Sequence, residues 1–216
     1  MQMIIDFLSN ILNHINLFVN DWGITIIVVT LLIKVLLIPM TIKQRRSMEL
    51  QQKFTKQVDA LKKKYKHDKK RLDQEMAKLS SQFSGNMMGC LLTFVQLPIM
   101  ISLYRAISHI PIEIPTTVLL PWISNIKAPD GYFLIPIISL VIHLMPNMLH
   151  YLSIFKELDI QKPNKTMIII TLLMNVIFIS QAPVIIGIYW IISGLYSFLE
   201  QFVSYWIKAK KLRVSP

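Results

Sequence analysis

The 216-residue chain has one cysteine, Cys90, which excludes an intramolecular disulfide and a cysteine-based zinc cluster. It has six glycines and no glycine-rich loop of the kind that cradles phosphate. The G-x-S-x-G and kinase signatures are also missing. The five histidines (His14, His67, His109, His143, His150) lack metal-binding spacing, and His143 and His150, seven apart on one helix face, have no evident third ligand. Charge is scarce. Only 16% of residues are charged, against about 25% in average soluble domains, while 53% are hydrophobic and mean hydropathy is +0.49. No nucleophile–base pair or intramembrane carboxylate dyad is visible, so an enzyme is the least favoured class, and neither a metal nor a cofactor is called for. The charge that remains is unbalanced, with 23 Lys and Arg against 12 Asp and Glu, a net +11. In a soluble chain that would suggest nucleic acid; here the apolar excess has to be explained first.

A bilayer core about 30 Å thick needs roughly 20 apolar residues as helix. Five stretches meet or approach that length: 21–42, 86–108, 131–155, 166–181 and 182–207, the fourth being short. Gln181-Ala182-Pro183 joins the last two as a tight hairpin. Pro39, Pro98, Pro136 and Pro146 lie inside these stretches, where neighbouring helices can satisfy freed carbonyls. Residues 1–20 read differently. Ile4, Leu8, Ile11, Ile15 and Phe18 fall on one face, with Asp6, Asn10, Asn13 and Asn20 on the other, which predicts an amphipathic helix at the interface. The expected fold is an all-α membrane protein with five transmembrane helices.

Basic residues set the orientation. Residues 43–84 hold 13 basic and 5 acidic side chains. With the loop 156–165 and the tail 208–216, they account for 20 of the 23 Lys and Arg, all on one side if five helices span. The positive-inside rule makes that side the cytoplasm and puts the N-terminus outside. Only Arg105 and Lys127 fall on the outer side, the second in a proline-rich loop at 109–130. Within 43–85, Phe54, Val58, Leu61 and Tyr65 are spaced 4, 3, 4, as are Leu72, Met76, Leu79 and Phe83. Those narrow seams predict an antiparallel helical hairpin. Its lysines fix topology. Lys62, Lys63, Lys64, Lys66, Lys69, Lys70 and Arg71 also form a candidate docking patch for anionic lipid, ribosomal RNA or nascent chain, with no base sequence specified.

Lys34 is the most informative residue. A charge near mid-helix costs roughly 2.5–3.5 kcal/mol on insertion scales. Nine residues separate it from Lys43, about 13.5 Å at 1.5 Å per residue, which is long for a snorkelling lysine. The spacing favours a polar cavity over snorkelling. No carboxylate is available in the first four helices, and Glu200 reaches Lys34 only if the packing is oblique. Gln96, His143, Asn147, Tyr189, Trp190 and Ser193 could line the same cavity, although each alone is more often interhelical glue. Together with Lys34 they suggest a hydrated groove.

The run Leu37-Ile38-Pro39-Met40-Thr41-Ile42-Lys43-Gln44 with Ser47-Met48 resembles the first-helix motif of the YidC/Oxa1/Alb3 membrane protein insertases. Lys64-Tyr65 and Asp68 resemble that family's first cytoplasmic region. Gly89-Cys90-Leu91, Gln96-Leu97-Pro98-Ile99 and Leu103-Tyr104-Arg105 resemble its second helix, and Pro183, Gly187, Tyr189-Trp190 and Gln201 its last. The resemblance covers about residues 20–207. It implies five helices around a water-filled groove, closed outside and open to cytoplasm and lipid, with a positive residue in the first helix. Lys34 stands where the family usually has arginine. It also implies a bacterial plasma-membrane protein that takes up nascent membrane proteins, alone or with the Sec translocon and ribosome. Two readings compete with it: a small-solute transporter, which the lack of an inverted repeat disfavours, and a scaffold recruiting a partner through its hairpin.

Overall fold

A computed structural model of the chain describes residues 2–66, 68–83, 96–109, 116–155, 158, 168–169, 172–173 and 175–214. These residues form α1 (Gln2–Val19), α2 (Trp22–Leu36), α3 (Ile38–Lys64), α4 (Lys69–Phe83), α5 (Gln96–His109), α6 (Leu134–Met148) and α7 (Val184–Val214). Among them, strand pairing is limited to an isolated bridge between Pro129 and Pro183. The expectations for 86–95, for 110–115, for most of 156–165 and for residues 166, 167, 170, 171 and 174 lie outside the described residues. The chain divides into two compact units, Met1–Val35 with Met100–Pro216, and Leu36–Ile99.

In the first unit, α6 and α7 form the main packed pair. Asp130 caps α6: its two carboxylate oxygens accept from the backbone N–H of Tyr132 (3.0 Å) and Ile135 (2.8 Å). Pro136 falls in the first turn, where a missing N–H costs little. Pro146 falls near the other end, and the chain then tightens into 3-10 turns at Leu149–Tyr151 and Ser153–Phe155. The helix α7 has 31 residues, about 46 Å at 1.5 Å per residue, longer than the hydrocarbon core. A side chain on Gly187 would collide with Ile135, and one on Gly194 would lie 2.9 Å from both Ile142 and His143. Both glycines and both isoleucines are seven residues apart in the same sense. The two helices therefore run parallel, with glycines admitting close approach as in other membrane helix pairs. Further along α7, Phe155 from the second 3-10 turn packs edge-on against Phe202 (5.5 Å between ring centres) and Tyr205 (5.9 Å), beside buried Leu149 and Ala209.

Large apolar side chains on the outer faces are exposed, among them Ile137, Ile138 and Val141 on α6 and Val176, Ile177 and Phe178 in a single π-helical turn at Asn175–Ile179. In water such a surface would drive aggregation; against lipid it needs no cover. Leu134–Tyr151 and Val184–Leu212 are each long and apolar enough to cross a membrane, and Trp22–Leu36 with Ile38–Ser47 qualify as a broken pair.

Two sequence expectations need correction. The first stretch is not one helix: it breaks at Leu37, because Pro39 lies in the opening turn of α3 and can supply no N–H to continue α2. In α1 the buried stripe is Ile5, Leu8 and Leu12, whereas Phe18 is 88% exposed. The helix is apolar on more than one side, with Met3, Phe7 and Leu17 also exposed, so periodicity could not say which side meets protein.

In the second unit, α3 and α4 are the two arms of a hairpin. Phe54, Val58, Leu61 and Tyr65 are half-buried, as are Leu72, Met76 and Leu79, which places both seams where the hydrophobic spacing put them. Asp68 starts α4, accepting from the backbone N–H of Arg71 at 3.1 Å and pairing with its guanidinium at 3.3 Å.

Candidate intramembrane polar site

The site begins with Lys34, which is only 7% exposed although it carries a charge in an apolar helix. It sits one turn beyond Thr30 on α2, and Thr30 is buried too. Glu200, on α7, is the carboxylate whose charge acts on Lys34. Lys34 in turn acts electrostatically on His143 of α6. Lys34 of α2 is thus within electrostatic range of a carboxylate on α7 and an imidazole on α6.

His143 is held in place from several sides. Its Nδ1 lies 2.8 Å from the Ser139 carbonyl one turn back, a contact in which Nδ1–H donates. Its ring stacks on Trp190 at 5.4 Å between centres. Gly194, one turn after Trp190, leaves the space the imidazole fills. Ser139 in turn donates its hydroxyl to Asn175 Oδ1 at 2.7 Å, and both residues are buried.

Three polar atoms here are buried and find no hydrogen-bond partner among the described residues: Thr30 Oγ1, Trp190 Nε1 and Ser193 Oγ. An unmet buried donor costs about 1–3 kcal/mol, so each of these three groups calls for a polar partner beyond the described residues.

Of the residues singled out in the sequence, Lys34, His143 and Trp190 come together, with Ser193 adjoining Gly194 on α7. Tyr189 is fully buried. Asn147 lies one turn past His143 and gives its backbone carbonyl to His150 Nδ1 at 2.9 Å. Gln96 opens α5, and its side chain is outside the described residues. Sequence reasoning missed Ser139 and Asn175, whose only signal was polarity inside apolar stretches, and left Glu200 conditional. Lys62, Lys63, Lys64, Lys66, Lys69, Lys70 and Arg71 are all exposed on the hairpin, with Lys64 Nζ 5.2 Å from the Tyr65 ring centre.

Among the described residues, a helical fold with large apolar side chains exposed on its outer faces and a charged group buried between helices is that of a membrane protein. Residues 14–211 match the profile of the 60Kd inner membrane protein family, and the chain belongs to that family. The "Membrane protein insertase YidC" of Fusobacterium nucleatum is 28% identical over 197 residues, covering 91% of this chain and 92% of that one. The protein of the same name from Clostridium perfringens is 30% identical over 195 residues, 87% and 80% of the two chains. That from Campylobacter jejuni is 28% identical over 203 residues, where this chain spans only 37% of its relative's length. The chain is a bacterial membrane protein.

Proposed function

We propose that this protein is a membrane protein insertase: it receives the polar segment of a nascent membrane protein beside Lys34 while the apolar segment passes into lipid. The observation that carries this is Lys34 itself, a buried cation grouped with Glu200 and His143 and neighboured by unmet donors. The names of its relatives agree with it.

Moving a polar segment through hydrocarbon is costly because each unsatisfied group loses its hydrogen bonds to water. A wet groove reaching partway across shortens the dry path. Trp190 Nε1, Thr30 Oγ1 and Ser193 Oγ supply donors along it. Lys34 attracts an acidic tail, and the membrane potential favours moving negative charge outward. No bond is made or broken.

In this reading five helices span, the N-terminus lies outside and the C-terminus and basic hairpin lie in the cytoplasm, where the exposed lysines meet ribosome, Sec translocon or anionic lipid. The test is reconstitution of the full chain into Sec-free liposomes with a single-spanning substrate bearing a short acidic N-tail. The tail should become protease-protected above the level of empty liposomes. Ion conduction in planar bilayers without tail protection would favour a transporter instead.

A further inference from the structure

The helices α2, α5, α6 and α7 carry one carboxylate side chain between them, Glu200. A charge within a spanning helix is costly, so it calls for a reason. Its position on α7 belongs to a pattern. Trp190, Ser193, Ser197, Glu200 and Ser204 are spaced 3, 4, 3, 4, which aligns them on one face of the helix. This polar stripe is closed at one end and open at the other. Trp190 stacks on His143 and Ser193 is buried, whereas Ser197 is exposed and Glu200 and Ser204 are half-buried.

Lys34 and Glu200 lie at similar depths. Both helices start from the loop that carries Thr117: it holds the Asp21 cap of α2, and its Ile126 and Ala128 carbonyls accept from the first N–H groups of α7. Counted from Trp22 and Val184, Lys34 and Glu200 are about 18 Å and about 24 Å along their helices at 1.5 Å per residue. A lysine stem and a glutamate can close that difference, and the Glu200 charge does act on Lys34. The two ends of this pair differ in freedom. Lys34 is 7% exposed and has no route to water of its own, so it needs an anion beside it at all times. Glu200 stands on the open part of the stripe, where its carboxylate can turn toward Ser204 and solvent without being stranded.

We propose that Glu200 is the resting counter-ion of Lys34, that carboxylates of the incoming segment displace it, and that it thereby sets how acidic a segment the site accepts. The exchange leaves Lys34 paired before and after, so no charge is buried alone at any point. Glu200 is a like charge to the segment it yields to, and such a charge discriminates by repulsion: a segment with one carboxylate competes poorly against it, and one with several competes well. Glu200 is thus a specificity-determining residue. This inference rests on the insertase reading above.

The test compares the full-length wild type with Glu200→Gln in Sec-free liposomes, using single-spanning substrates whose N-tails are of equal length and carry no, one or three aspartates. Relative to the neutral tail, protease protection of the one-aspartate tail should rise about threefold or more in Glu200→Gln, and that of the three-aspartate tail should rise less. A change by the same factor for all three tails would make Glu200 a structural residue only, and a fall for the one-aspartate tail would reverse its role; either overturns the inference while the insertase reading stands. Protection of no tail by the wild type would overturn that reading instead. The pairing has its own readout, independent of insertion: melting of Lys34→Met, Glu200→Gln and the double variant in detergent. The double variant should melt closer to the wild type than the two single shifts added together, because neither charge is then left alone. Additive shifts would overturn the pairing.

Discussion

Asp21 and Thr117 are 96 residues apart in the chain, yet the Thr117 hydroxyl donates to Asp21 Oδ1 at 2.7 Å. The same carboxylate accepts from the backbone N–H of Val118 at 2.7 Å and caps α2 through Ile24 N–H at 2.9 Å. The loop that carries Thr117 also supplies Asp130 to α6, and the carbonyls of Ala128 and Ile126 to the first N–H groups of α7. One loop thus satisfies the starts of α6 and α7, which would otherwise leave orphan donors, and holds in place the carboxylate that caps α2. Thr117→Val should cost about 1.5–3 kcal/mol, the worth of a hydrogen bond to a charged group, measured by denaturant unfolding in detergent.

The same carboxylate gives the protein a pH limit. Burial pushes the Asp21 carboxyl up, but the N–H groups of Ile24 and Val118, the Thr117 hydroxyl and the Gly23 N–H together outweigh it and hold it below its ordinary value of 3.8. A carboxyl lowered in the folded state stabilises fully above that ordinary value, and its contribution fades as pH falls through the lowered one. Melting curves at pH 7 and pH 3 should therefore differ more for the wild type than for Asp21→Asn. Parallel shifts in both proteins would remove Asp21 as the source.

The parallel pairing of α6 and α7 depends on two glycines. Gly187→Ala places a methyl group into Ile135, and overpacking of this kind costs about 1–3 kcal/mol. Gly131→Ala meets nothing within 4 Å and serves as the control. The prediction is a lower melting temperature for Gly187→Ala and an unchanged one for Gly131→Ala, both followed in detergent.

The hairpin separates an insertase from a scaffold. Its seams and its Asp68 cap lie within the unit Leu36–Ile99. Deleting residues 50–80 should weaken insertion severalfold in the liposome assay while leaving it above background. Complete loss, with the remaining chain still folded, would favour the scaffold.

What the sequence disclosed and what it hid divides along physical lines. Periodicity showed the seams of α3 and α4 because each helix repeats its contact every turn. Lys34 stood out because a buried charge is costly whatever surrounds it. The buried side of α1 stayed hidden because both protein and lipid accept apolar side chains. The break at Leu37 was masked by unbroken hydropathy, although Pro39 was there to be read. Pairings such as Ser139 with Asn175, or Asp21 with Thr117, are long-range in sequence, and polarity alone names no partner. Glu200 could be assigned to Lys34 only once the approach of α7 to α2 was known.

Exchanging the charge at Lys34 tests the central claim most directly. Lys34→Leu and Lys34→Arg would be compared in Sec-free liposomes, each with one substrate carrying an acidic N-tail and one carrying a neutral tail of equal length. The account predicts that Lys34→Leu loses most insertion of the acidic tail and little of the neutral one, and that Lys34→Arg retains both. Equal insertion of the acidic tail by Lys34→Leu and wild type would contradict it and remove the buried cation from the mechanism.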